Sequence, residues 1–195
     1  MKKIIPLSLL LSATLFTSSA MAYDGQITFT GKVVATTCAL AEGEAQKTVN
    51  LPTVSASSFS QAGSTAGLTP FQIKLQGCPT SNSSENPASV TVYFEGTHDI
   101  VDQATGNLIN TAKSGTQEIA KSVQIQILDK NQKAIDLRKD ILSLDAQKDP
   151  ELVYEEIKGE SAPVLSYYAQ YYAPQANSVT AGNVEATIKY TLVYK

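Results

Sequence analysis

Between positions 184 and 194 the chain alternates with a period of two. Val184, Ala186, Ile188, Tyr190, Leu192 and Tyr194 share one parity, while Glu185, Thr187, Lys189, Thr191 and Lys195 fall on the other. A helix repeats every 3.6 residues and a strand every two, so this stretch reads as a strand with one face buried. The same period recurs upstream. Ile27, Phe29, Gly31, Val33 and Ala35 oppose Gln26, Thr28, Thr30 and Lys32, and Phe71, Ile73 and Leu75 oppose Gln72 and Lys74. Val123, Ile125 and Ile127 oppose Gln124 and Gln126, before the turn-forming run Leu128-Asp129-Lys130-Asn131. Residues 90–94 are short, β-branched and aromatic, which marks a further strand.

Stretches rich in Ser, Gly and Asn, residues 56–67 and 79–87, separate these segments. Several short strands spaced in this way predict an all-β fold, a β-sandwich of immunoglobulin type. A chain of 195 residues is long enough for one such core. Residues 136–160 are the exception. They are the most highly charged part of the chain and read as a solvated excursion at a sandwich edge, with Ile141, Leu142 and Leu144 in a short helix or loop before Pro150. No repeat and no linker divides the chain into two domains.

The chemistry available to such a domain is narrow. Fifteen basic against 18 acidic side chains leave a net charge of -3, without the basic face that nucleic acid requires. His98 is the only histidine, so any histidine-based triad must use it. Its neighbour Asp99 would point to the opposite face of a strand, which is the wrong geometry for orienting a base. There is no G-x-S-x-G, S-x-x-K or G-x-G-x-x-G motif. The run from Asp129 to Asp140 fails as a calcium loop at Lys133, which has no oxygen to offer, and it lacks the central glycine and closing glutamate. Glu155 and Glu156 read as a surface charge run. Tyr167 and Tyr171 fall on one parity, Tyr168 and Tyr172 on the other, which reads as core packing plus a rim rather than a sugar platform. No catalytic residue, metal ligand, cofactor or small-molecule substrate is expected.

The N-terminus supplies an address. Lys2 and Lys3 precede an apolar run over residues 4–16, then Thr17, Ser18, Ser19 and the small-x-small triplet Ala20-Met21-Ala22. That is the pattern of a secretory signal over residues 1–22, with a mature chain starting at Tyr23. Beyond it no apolar run approaches the roughly 18 residues that cross a bilayer. Export to an oxidising compartment makes one disulfide the default for the only two cysteines, Cys38 and Cys78. Closing that loop contributes roughly 3–4 kcal/mol on the chain-entropy account.

Three stretches, in this order, carry a family resemblance. They are Asp24-Gly25-Gln26-Ile27-Thr28-Phe29-Thr30-Gly31-Lys32-Val33-Val34 leading to Cys38, the run from Val123 to Asp129, and the ending from Tyr172-Ala173-Pro174 through Val179-Thr180-Ala181-Gly182 to Tyr190. With the cysteine spacing and the export signal, the chain resembles the structural subunits of chaperone–usher fimbriae, the type 1 and P pilus pilins of Gram-negative bacteria. The resemblance implies an incomplete immunoglobulin-like sandwich, the pilin fold, over residues 32–195, preceded by a donor-strand extension over residues 23–31. In such pilins a donor strand from a neighbouring subunit completes the fold, and the alternating motif places Tyr23, Gly25, Ile27, Phe29 and Gly31 in that strand. It also implies that Gly182, Ile188, Tyr190, Leu192 and the penultimate Tyr194 form the C-terminal strand read by chaperone and usher, and that Cys38 and Cys78 form the family disulfide. The expected partners are neighbouring pilin subunits in a homopolymer, a periplasmic chaperone and an outer-membrane usher, with no nucleic acid. The expected location is the fimbrium at the cell surface, reached through the periplasm. The alternative role is a minor adaptor or tip-associated binding subunit of the same fimbria.

Overall fold

The computed structural model describes residues 27–28, 31, 33, 37–79, 88–113, 115, 118–140, 152–158 and 162–195. The chain divides into two units, Met1–Lys32 and Val33–Lys195. Every strand described lies in the second.

Phe71, Ile73 and Leu75 face inward and Gln72 and Lys74 outward, as their spacing predicts, but the strand that carries them is longer than expected. This strand, β2, spans Thr65–Gln76 and begins inside a stretch that composition alone assigns to turns. Two residues that usually break strands are accommodated. Gly67, with φ +72°, forms a bulge where the register shifts between Ala66 and Thr69. Pro70 has no N–H to give, and over this part of β2 a neighbouring strand lies on one side only.

The remaining strands are β1 (Ala39–Leu40), β3 (Ser89–Glu95), β4 (Leu108–Ile109), β5 (Gln124–Leu128), β6 (Glu155–Glu156), β7 (Val164–Tyr172) and β8 (Lys189–Tyr194). A single turn of 3-10 helix covers Ala56–Ser58. Two sheets result, one ordered β1-β2-β7-β5-β4 and the other β6-β3-β8, with every strand pair antiparallel. Their inner faces enclose one core, which includes Ile73, Leu75, Val92, Phe94, Ile125, Ile127 and Leu165. Tyr167 on β7 locks the sheets together at its centre. Its ring stacks on Phe71 at 5.7 Å and meets Phe94 edge-on at 5.2 Å, and its hydroxyl accepts the Val92 N–H at 3.3 Å. The ring therefore fills volume while the hydroxyl satisfies a buried main-chain donor. The parity read for the four tyrosines holds, with Tyr167 and Tyr171 packed into the core and Tyr168 and Tyr172 on the other face of β7.

Charged residues 136–160 are not wholly a solvated excursion. Leu137 and Ile157 are among the most deeply buried side chains, 2% and 1% exposed, and β6 pairs with β3 through Ser89–Glu156 and Val90–Glu155. Density of charge hid these apolar residues, because Lys130–Glu155 and Glu156–Lys158 ion pairs cover the outside of the segment that buries Ile157. The short helix or loop expected around Ile141, Leu142 and Leu144 lies outside the described residues, as does the signal sequence. The turn after β5 is as read. Asp129 Oδ1 accepts the N–H groups of Asn131 at 2.8 Å and Lys133 at 2.9 Å, so its carboxylate closes a hairpin. His98 is exposed in a turn rather than on a strand.

Candidate functional site: the outer edge of the last strand

β8 ends its sheet. Among the described residues its one strand partner is β3, in the register Val90–Tyr194 through Glu95–Lys189. Ser89 and Lys195 exchange both N–H···O bonds, each 3.1 Å. Bonded and non-bonded pairs alternate along an antiparallel ladder. The main-chain groups of Thr191 and Val193 therefore point at β3, and those of Tyr190, Leu192 and Tyr194 point to the outer edge. The side chains of the same three residues turn inward and are half-buried against the core, together with Val184, Ala186 and Ile188. An outer row of main-chain donors and acceptors thus lies beside an apolar stripe only partly covered by its own chain. Such an edge is equipped to accept a further strand, with main-chain bonds giving affinity and alternate side chains giving register.

The opposite lip is the segment around β1. The Tyr194 hydroxyl donates to the Cys38 carbonyl at 3.2 Å and the Tyr190 hydroxyl to the Glu44 carbonyl at 2.6 Å. Burial raises both phenols above the ordinary tyrosine range, so both remain donors. The lip is tied to β2 by the Cys38–Cys78 disulfide, by the Ala41 N–H on the Lys74 carbonyl at 3.0 Å, and by Lys47, whose ammonium pairs with Glu44 at 2.5 Å and caps the Gln72 carbonyl at 2.6 Å.

The expected site residues fall in several places. Cys38 and Cys78 are bonded to each other. Tyr190, Leu192 and Tyr194 lie together on β8, and Ile188 continues their inward stripe one residue before the strand begins. Gly182 lies apart from β8, beside the bridge between Ile119 and Asn183, where a Cβ would come within 2.3 Å of the Ala120 nitrogen. Of the donor residues, Ile27 is 79% exposed and Gly31 is exposed, while Tyr23, Gly25 and Phe29 lie outside the described residues. Sequence reasoning missed Glu44 and Lys47. No motif marks them, because Glu44 contributes a main-chain carbonyl and Lys47 reaches a strand 25 positions away. Among the described residues no cluster of His, Cys, Asp and Glu could hold a metal ion, and no helix is long and apolar enough to cross a membrane.

An all-β immunoglobulin-like sandwich with an open strand edge is the architecture of a pilin. The model of the family described as type-1 fimbrial protein, A (FimA) matches residues 51–195. The F17 fimbrial protein of Escherichia coli is 42% identical over 181 residues, covering 91% of each chain. The major fimbrial subunit SMF-1 of Stenotrophomonas maltophilia is 38% identical over 177 residues, covering 90% of this chain and 95% of that one. The minor fimbrial subunit HifD of Haemophilus influenzae is 33% identical over 187 residues, covering 95% and 81%. In fold, the chain is similar to the crystal structure of the P pilus rod subunit PapA, with a TM-score of 0.59, 19% identity, and coverage of 82% of this chain and 100% of that one. The chain belongs to the type-1 fimbrial protein family. It is a fimbrial subunit, a structural component of cell-surface fimbriae and not an enzyme.

Proposed function

We propose that this chain is a structural subunit of a chaperone–usher fimbria, and that it polymerises by donor-strand exchange into a surface fibre that supports adhesion. The observation that carries this is the outer edge of β8, where the main-chain groups of Tyr190, Leu192 and Tyr194 face away from β3 above a half-covered apolar stripe. Residues 1–22 are the export signal, 23–31 the donor extension and 32–195 the pilin domain. Tyr23, Gly25, Ile27, Phe29 and Gly31 of one subunit lie along β8 of the next. Burying Ile27 and Phe29 contributes roughly 1.5–3 kcal/mol each. Gly25 lets the two backbones approach where a side chain would not fit. In the periplasm a chaperone holds the same edge, reading Gly182, Ile188, Tyr190, Leu192 and Tyr194, until the usher exchanges it for the donor.

The test is deletion of residues 23–30 in cells that carry the matching chaperone and usher. The shortened subunit should accumulate bound to chaperone and enter no SDS-resistant ladder. Normal ladders from the deletion would sink the proposal. The chain is similar to both a major and a minor subunit, so the second role, a minor adaptor or tip-associated binding subunit of the same fimbria, is tested by abundance. Boiling sheared fimbriae in acid should collapse the ladder to one dominant band that starts at Tyr23 for a shaft subunit, and to a faint band for a minor one.

A further inference from the structure

The open side of the sandwich is crossed by two hydroxyls. Tyr190 and Tyr194 are four residues apart on one face of β8, about 13 Å along the strand. Each donates to a main-chain carbonyl of the facing lip, at Glu44 and Cys38 respectively. Both landing points are fixed to the β2 side by more than the two-residue β1–β2 pairing. Cys38 is held by its disulfide to Cys78, and Glu44 by the ammonium of Lys47, which also caps Gln72. The Glu44 side chain is almost fully buried, so its carboxylate needs that ammonium beside it.

We infer that Tyr190 and Tyr194, with Glu44 and Lys47 behind them, form a two-rung latch that fixes the separation of β8 from the β1 lip and so holds the groove open for an incoming strand. The inference rests on the donor-strand reading of the β8 edge. A sandwich with an uncompleted side has two ways to lose its groove: the apolar stripe can collapse inward, or the lips can splay. Packing of a half-covered stripe resists both only weakly, because hydrophobic contact is non-directional and many arrangements bury similar area. A hydrogen bond from a ring tip to a main-chain oxygen does have one. The rings of Tyr190 and Tyr194 pack against the core and set the depth of the stripe, while their hydroxyls set its width. The four residues are positioning residues: the rungs act by placing the main-chain groups that meet the donor, before it arrives.

The experiment compares the full chain with Tyr190→Phe, Tyr194→Phe, the double variant and Lys47→Met. Phenylalanine keeps the ring and removes only the rung. Three quantities are read: uptake of a synthetic peptide with the sequence of residues 23–33, amide hydrogen exchange over residues 38–47 and 189–194, and the melting temperature of subunits already in SDS-resistant ladders. The double variant should take up peptide about tenfold more slowly and lose protection over residues 38–47, yet melt normally once incorporated. Lys47→Met should reproduce the Tyr190→Phe result while leaving protection at Cys38 intact. Unchanged uptake and protection in the double variant overturns the latch. So does a melting temperature that falls in step with uptake, which is the signature of ordinary core hydrogen bonds. A wild-type chain that takes up no peptide and forms no ladder refutes the assembly reading instead, and the exchange data still decide whether the rungs hold the lip.

Discussion

At Gly182 the backbone has φ +153° and passes so close to residues 118–120 that a Cβ would lie 2.3 Å from the Ala120 nitrogen and 2.5 Å from the Ile119 carbonyl carbon. Both obstacles are main chain, which cannot swing aside as a flexible side chain can. The Asn183 N–H on the Glu118 carbonyl and the Ala120 N–H on the Asn183 carbonyl, at 2.8 and 3.1 Å, hold the two segments at that separation. Gly182→Ala is therefore expected to cost more than about 3 kcal/mol or to prevent folding, as measured by denaturant unfolding or by soluble yield in the periplasm. Whatever reads the C-terminal strand during assembly, this glycine has a packing reason of its own. Tyr167 makes a different demand. Burial raises its phenol above the ordinary range, with weaker opposing effects from hydrogen bonds with Thr91 and Val92. The unfolded chain then loses the Tyr167 proton first, so the stability due to the neutral phenol is whole below about pH 10 and drains away as pH climbs from there through the folded value. Urea midpoints followed from pH 9 to 11 should fall more steeply for the wild type than for Tyr167→Phe.

Among the elements, β6 and its surroundings are the ones the amino-acid pattern hides. Ile157 is 1% exposed although a glutamate precedes it and a lysine follows. Ile157→Ala should cost about 2–5 kcal/mol in chemical unfolding. Loss of the neighbouring Lys158 to alanine should leave the midpoint within experimental error, because its ion pair with Glu156 is widely open to water. By contrast, residues 71–75 of β2 and the inward stripe of β8 are legible residue by residue, since each buries one face and so prints a period of two, whereas β5 alternates in sequence but is buried on both faces. β3 is legible for another reason: it is covered on both faces, and the run Val90-Thr91-Val92-Tyr93-Phe94 is β-branched or aromatic throughout. β1, β4 and β6 are two residues each, too short for any period to emerge. Inward parity at Tyr190, Leu192 and Tyr194 was readable, whereas the side on which their main-chain groups lie was not. That side depends on which strand β8 pairs with, and pairing is a property of the fold rather than of the segment.

For the whole molecule, the edges matter as a set. β8 presents its outer row of main-chain groups beside an apolar stripe. The long β2 also borders its sheet over residues 65–73, but there it is guarded. Pro70 removes one donor, the Lys47 ammonium covers the Gln72 carbonyl, and the Pro52 ring lies against the bulge at Gly67. Lysine and proline on a border strand are established means of discouraging unwanted pairing. The borders at β1, β4 and β6 are two residues long and offer little to grip. Under the proposed donor-strand assembly, a subunit with one receptive border and one segment to give would have a valence of two. Chains of such subunits would lengthen without forking, and the guard on β2 would keep the product a filament rather than a gel.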